Sequence, residues 1–124
     1  MPLSDATAPL YAIKAELFRS LAHPVRIQVL EVLSAAPDHA SPVSALLEVT
    51  GVEASALSQH LTVLKRAGVV TSTRHRNTVT YQLSEPRVAE LLVVARAFLA
   101  SRLSRSSAQL AVAERLPPLT GTPR

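Results

Sequence analysis

A set of short polar side chains recurs along residues 53–67 at intervals of three and four positions. In a projection at 100° per residue they fall opposite three leucines, which lie within about 60° of one another. Hydroxyl and amide groups hydrogen bond to base edges and phosphates, whereas a merely solvated face favours Glu and Lys. The pattern predicts a helix that contacts nucleic acid, with a Ser-rich solvated helix as the alternative. The polar set is Ser55, Ser58, Gln59, Thr62 and Arg66, and the leucines are Leu57, Leu61 and Leu64.

A cationic cluster follows shortly after this segment. Arg74, His75 and Arg76 stand between two runs of β-prone residues, which predict a hairpin with its tip at 75–78. Asn77 is the tip residue best suited to a positive φ. Because cations neutralise phosphates, we assign Arg74, Arg76 and Asn77 to DNA contact. A solvated charged turn is the alternative.

Catalytic and metal chemistry have little support. Ser58 and His60 are two residues apart and so do not face each other on a helix. The chain has no cysteine, which removes thiolate nucleophiles and thiolate metal ligands. Its four histidines are spread over four predicted elements without ligand spacing. We therefore predict that the chain is not an enzyme and holds no metal or cofactor. The histidines are His23, His39, His60 and His75.

The polar-faced helix needs a partner helix and a turn to position it. A short helix is predicted at 42–49, and Gly51 opens the turn after it because glycine accepts left-handed backbone without cost. Two earlier helices are predicted at 10–21 and 24–35, separated because the residue before Pro24 avoids the helical region. The helix at 24–35 is apolar on nearly every side, which places it at the centre of the core.

A last helix, 86–105, carries a continuous apolar stripe. The predicted fold is therefore mainly α with a small β-hairpin, in the order α-α-α-α-β-β-α. Two helices joined by a glycine turn and followed by a basic hairpin are typical of a winged helix-turn-helix. The alternative function is a winged-helix module that binds protein instead of DNA, which would favour large apolar groups on the recognition face.

The composition bounds the organisation of the chain. Its 124 residues suit one domain at 10–105, with a flexible arm at 1–9 and a C-terminal extension at 106–124. The extension is predicted to be disordered from 117, where prolines are frequent. The net charge of +4 suits a polyanionic partner. We expect a cytoplasmic protein, because the sequence shows neither a signal peptide nor a membrane-spanning stretch.

Four segments of the sequence stand in a characteristic order and at characteristic separations: 18–27 (FRSLAHPVRI), 55–61 (SALSQHL), 64–70 (LKRAGVV) and 81–83 (YQL). Together they resemble the ArsR/SmtB family of bacterial repressors, and in particular its cysteine-poor actinobacterial members. The likeness spans residues 10–103. The sequence departs from the family at Asn77, where the wing often has glycine.

The resemblance implies a homodimer that binds a palindromic operator in double-stranded DNA and leaves it when a signal arrives. It places Ser55, Ser58, Gln59 and His60 among the recognition-helix contacts, although the projection puts His60 at the edge of the packed face. Relatives that sense metals use cysteines, or Asp and His on the last helix, and 86–105 contains neither. The sequence leaves three routes of regulation open: a small molecule, a partner protein, or a change in repressor level.

The resemblance also implies that the first and last helices form the dimer interface. The apolar residues assigned to that interface are Leu10, Ile13, Leu17, Leu91, Ala95, Phe98 and Leu99.

Overall fold

The computed structural model describes residues 6–104 and 112–118. Within residues 6–104 the chain forms five α-helices, three β-strands and a short 3₁₀ turn. This architecture confirms the predicted winged helix-turn-helix and adds one strand to it. The elements are α1 (Ala8–Leu21), α2 (Pro24–Ala35), β1 (Ala40–Pro42), α3 (Val43–Thr50), α4 (Ala54–Arg66), β2 (Val70–His75), β3 (Thr78–Leu83) and α5 (Arg87–Leu103).

The break between α1 and α2 lies at the predicted proline. Pro24 occupies the first turn of α2, and the His23 side chain accepts a hydrogen bond from the Val25 backbone N–H at 3.1 Å. This hydrogen bond satisfies one of the free donors at the start of the helix. The start of α1 at Ala8 is two residues earlier than predicted, with Pro9 in its first turn.

The helix-turn-helix turn depends on Gly51. This residue caps α3 in the left-handed conformation with φ of 68°, as the sequence predicts, and α4 begins three residues later. α4 matches the predicted segment 53–67 to within one residue at each end.

α2 lies at the centre of the core, which confirms its predicted position. It packs against α3, α4, α5 and two strands, and Val29, Leu30 and Leu33 are fully buried. One side of α2 remains open, since Ile27 is exposed.

The sheet has a strand that the sequence analysis missed. Residues 40–42 were predicted to precede and begin the helix at 42–49, but they form β1, which pairs antiparallel with β3. The strand order is β1-β3-β2. Three residues that include a proline carry no readable alternation, so only the pairing with β3 identifies them as a strand.

The β2–β3 hairpin, which we call the wing, turns more tightly than predicted. His75 pairs with Thr78, so the loop has two residues instead of four. The positive φ falls on Arg76, at 57°, and its assignment to Asn77 is wrong. A two-residue loop of this kind needs positive φ at its first position, whichever side chain stands there.

The ends of the chain are described only in part. α5 ends at Leu103, and the predicted arm and extension lie largely outside the described residues. Within the described ranges, every helix falls short of the length and apolar character that crossing a membrane requires.

Candidate nucleic-acid interface

The polar face of α4 is open to solvent, as predicted. Its leucines are buried under the helix and fix the rotation of α4 on the core. The opposite side therefore points away from the subunit and is available to a ligand. The residues on this exposed side are Ser55, Ser58, Gln59, Thr62 and Arg66.

Thr62 and Ser58 form one hydrogen bond within this face. The Thr62 hydroxyl donates to the Ser58 backbone carbonyl at 2.8 Å, one helical turn away. The oxygen of that hydroxyl keeps acceptor capacity toward solvent.

His60 differs from the other predicted contacts, because it is half-buried at the side of α4 that packs on α2. Its ring lies 4.2 Å from the ring of His23, centroid to centroid. Its Nδ1 lies 3.3 Å from the Arg26 guanidinium. Burial, and then the neighbouring His23 and Arg26, lower the pKa of His60 below its ordinary value of 6.5. His60 thus faces α2, as the projection indicated. This position does not fit a residue that contacts DNA alone.

The wing stands beside α4. A hydrogen bond of 2.7 Å from the Lys65 ammonium to the Ser72 hydroxyl connects the end of α4 to β2. Arg74, Arg76 and Asn77 are exposed at the wing tip.

A groove of about 420 Å³ runs between α4 and the wing. Leu61, which is buried, lies at its floor, and the exposed side chains of Ser58 and Asn77 lie at its rim. The groove therefore brings residues of the predicted helix face and of the predicted wing tip to one surface, although 19 positions separate Ser58 from Asn77 in the sequence.

The cations of this surface do not take part in the ion pairs found within residues 6–104 and 112–118. Those pairs join Arg19 to Glu16, Arg87 to Glu85, and Arg96 to Glu31. Arg66, Arg74 and Arg76 thus present charge that carboxylates of the described chain do not neutralise. Such charge attracts a polyanion.

A second surface is apolar and lies on α1 and α5. Leu10, Ile13, Phe98 and Leu99 are exposed, with 66% of Ile13 and 64% of Phe98 accessible. Ala95 is exposed as well. Exposed apolar surfaces of this kind are typical of sites that bind another protein chain or a ligand.

Two residues assigned to the dimer interface also pack within the subunit. Leu17 and Leu91 are half-buried and line a small cavity between α1 and α5, and Leu17 packs on the core.

The part of the chain that the structure describes contains no group of three or more His, Asp or Glu residues placed to hold a metal ion.

Comparisons with known proteins identify the family. A family model described as "Helix-turn-helix domain" matches residues 21–73. The uncharacterized HTH-type transcriptional regulator Rv0081 of Mycobacterium tuberculosis is 50% identical over 97 residues, which are 77% of this chain and 82% of that protein. The HTH-type transcriptional repressor SmtB of the same organism is 38% identical over 78 residues, which are 63% of this chain and 56% of SmtB.

Solved structures agree with the sequence matches. The crystal structure of Rv0081 gives a TM-score of 0.71 at 49% identity, and the match covers 78% of this chain and 95% of that one. The solution structure of the homodimeric winged helix-turn-helix DNA-binding domain of Mb0332 from Mycobacterium bovis gives 0.72 at 26% identity, over 83% of this chain and 93% of that one. The chain belongs to the ArsR/SmtB family of transcriptional regulators.

The family assigns functions to the elements of this ArsR/SmtB regulator. The protein is a DNA-binding transcriptional regulator in which α4 corresponds to the recognition helix and β2–β3 to the wing. Sequence reasoning missed the contact of His23 and Arg26 with α4. Both residues stand in the segment 18–27, which carries the family resemblance, but only the packing of α2 on α4 brings them to His60.

Proposed function

We propose that this ArsR/SmtB regulator is a homodimeric repressor that binds an inverted-repeat operator. In this proposal α4 enters the major groove and the wing lies on the adjacent sugar-phosphate backbone. The observation that carries the proposal is the exposed hydroxyl-and-amide face of α4 next to a wing tip with free cations.

The two parts of this surface suit different parts of DNA. Ser55, Ser58 and Gln59 are exposed near the start and middle of α4, and an amide such as that of Gln59 pairs with the N6 and N7 edge of adenine. We assign these three residues to base edges. A second group, with cationic or short polar side chains, suits phosphates. This second group is Thr62, Arg66, Arg74, Arg76 and Asn77.

A dimer through α1 and α5 explains the exposed apolar surface. Burial of Ile13 and Phe98 against a second copy removes apolar area from water, which favours association. The related Mb0332 domain is homodimeric. A two-fold dimer presents two copies of α4, and successive major grooves on one side of DNA lie about 34–36 Å apart. Two-fold symmetry then selects an inverted repeat.

A mobility-shift experiment tests the proposal, with the DNA upstream of the chain's own coding region as the probe. We expect a shift that weakens as salt increases, with a slope of log K against log salt of about −0.9 for each neutralised phosphate. A variant with Arg74→Ala and Arg76→Ala together is expected to bind more weakly at every salt concentration.

Selection of duplexes from a random-sequence DNA pool is a second test of the proposal. Duplexes recovered by the protein are expected to share an inverted repeat. Recovery of no preferred sequence, together with salt-independent association, would contradict the proposal and favour the protein-binding alternative. The polar recognition face argues against that alternative, because a protein-binding helix is expected to expose large apolar groups.

A further inference from the structure

Two histidine rings meet where α4 packs on the start of α2. The ring centroids of His23 and His60 are 4.2 Å apart, and the rings are tilted by 41°. Arg26, in the first turn of α2, reaches His60 from the side. This cluster lies on the inner side of α4, behind the face that we assign to DNA.

The hydrogen bonds of the cluster define the protonation of both rings. The Arg26 guanidinium lies 3.3 Å from Nδ1 of His60, and arginine has donors only. The Val25 backbone N–H likewise donates to Nδ1 of His23 at 3.1 Å. Each Nδ1 must therefore carry a lone pair, so each ring in this arrangement is neutral and bears its proton on Nε2.

We propose that His23, His60 and Arg26 form a proton-sensitive joint that holds the recognition helix at its angle to α2 only while the His60 imidazole is neutral. The proposal rests on the proposed function, because it predicts that operator affinity decreases in acid. A proton on Nδ1 of His60 would remove the acceptor for Arg26 and set two cations against each other.

Burial and the neighbouring groups on α2 favour the neutral ring of His60. Burial lowers the pKa of His60 most, and His23 and Arg26 on α2 lower it further because both oppose a positive charge. From α1, Glu16 lies near the later turn of α4, but it pairs with Arg19. On β2, the contact with α4 is a hydroxyl that accepts from Lys65.

His23 contributes to the joint as a helix cap. Its Nδ1 accepts a hydrogen bond from the Val25 backbone N–H at the start of α2, which holds its ring against that of His60. Protonation of His60 therefore loosens the contact between α4 and a ring that is fixed on α2.

The consequence for DNA follows from the position of Gln59, which precedes His60 on α4. A change in the angle of α4 would move Gln59 relative to base edges, where hydrogen bonds tolerate little misplacement. The expected direction is distinctive, because protonation of exposed histidines alone would add positive charge and strengthen binding to phosphates.

The first experiment needs no DNA. Histidine ring signals of the free protein are followed by NMR through a pH titration, with ¹⁵N shifts reporting the tautomer. We expect His60 to titrate below 6.5 and to be the Nε2–H tautomer when neutral. His23→Asn keeps a good helix cap and removes a neighbour that lowers the pKa of His60, so it should raise that pKa. A His60 ring that titrates at or above 6.5, or carries its proton on Nδ1, overturns the joint.

The second experiment measures binding of a duplex selected from a random pool by the wild-type protein at about pH 7.5. His60→Asn places a non-titrating oxygen near the position of Nδ1, so it keeps an acceptor for Arg26. From about pH 7.5 to 5.5, wild-type affinity should fall relative to this variant, by at most about tenfold for one proton whose pKa lies below 6.5.

The control is His39→Asn, at a histidine in the 3₁₀ turn before β1, which should keep the pH dependence of the wild type. If the DNA affinities of the wild type and His60→Asn depend equally on pH, the proposed joint is wrong. If the selection recovers no DNA at about pH 7.5, the proposed function fails, and the NMR titration still decides whether the joint exists.

Discussion

In the proposed complex, single side chains on α4 and on the wing contribute to DNA binding by different physical routes. Gln59 presents an amide, whose paired donor and acceptor distinguish one base from another. Arg76 presents a charge, which interacts with phosphates whatever the sequence. Both are exposed on the same surface, so substitutions at the two positions separate specificity from general affinity.

We expect Gln59→Ala to cost about 1–3 kcal/mol on the preferred operator and to relax preference at one base pair. Arg76→Ala should weaken binding to all sequences about equally and reduce the salt slope by about 1. Fluorescence anisotropy on the selected duplex and on single-base variants measures both. Equal losses on all duplexes for both variants would remove this assignment of roles.

Arg76 also carries backbone strain. A non-glycine residue with φ of 57° costs about 1–2 kcal/mol relative to glycine. Arg76→Gly should therefore raise the free energy of unfolding while it lowers DNA affinity. Urea denaturation and anisotropy measure the two effects, and Arg74→Gly is the matched control, because it removes a cation without relieving strain. A stability gain in the control as large as that of Arg76→Gly would contradict strain at the turn.

His60 makes stability depend on pH. Because its pKa is lowered in the folded chain, the unfolded chain binds the proton more tightly. The contribution to stability is full above about 6.5 and is lost as the pH falls through the folded-state pKa. Urea denaturation should show a larger decrease between about pH 7.5 and 5.5 for the wild type than for His60→Asn. The idea is wrong if the two decreases are the same.

At the scale of elements, the turn between α3 and α4 depends on backbone conformation alone. A Cβ at Gly51 would meet no atom within 4 Å, so a substitution there tests the left-handed conformation without steric interference. Gly51→Ala should cost about 1–2 kcal/mol. Gly51→Asn should cost less, because Asn adopts this conformation more readily.

Urea denaturation of the two Gly51 variants provides the comparison. Ala54→Gly, in the first turn of α4, serves as a control for a change of glycine content at a helical position. Equal stability of Gly51→Ala and the wild type would show that the turn tolerates another conformation.

The element scale also shows where sequence reasoning succeeded. α4 was predicted to within one residue at each end because a regular helix repeats its buried side every three to four residues. β1 was missed, since three residues are too few to show a period and its hydrogen bonds go to β3, about 40 positions later. Local patterns reveal long elements, and only long-range pairing reveals short ones.

At the scale of the whole molecule, the exposed apolar side chains of α1 and α5 predict association. Ile13→Glu and Phe98→Glu should each shift the protein toward a monomer, because a carboxylate buried in an apolar interface loses its hydration. Val49→Glu is the control, since Val49 on α3 is 51% exposed and lies on neither α1 nor α5. Light scattering coupled to size-exclusion chromatography measures the mass.

We expect the two interface variants to lose operator binding at concentrations where Val49→Glu retains it. A monomer also presents only one recognition helix, so its loss of affinity should exceed the effect of a single phosphate contact. A dimer that survives both interface substitutions would place the interface elsewhere.

The amino-acid sequence by itself determined the five helices, the turn at Gly51, the exposed polar face of α4 and the winged helix-turn-helix family, because each depends on local conformation or on residue spacing. Tertiary structure decided what depends on chain segments far apart. The pairing of His75 with Thr78 put the positive φ on Arg76. The packing of α2 on α4 brought Arg26 to His60, 34 positions away. These contacts follow from how the helices and strands fit together around one core, which local spacing does not encode.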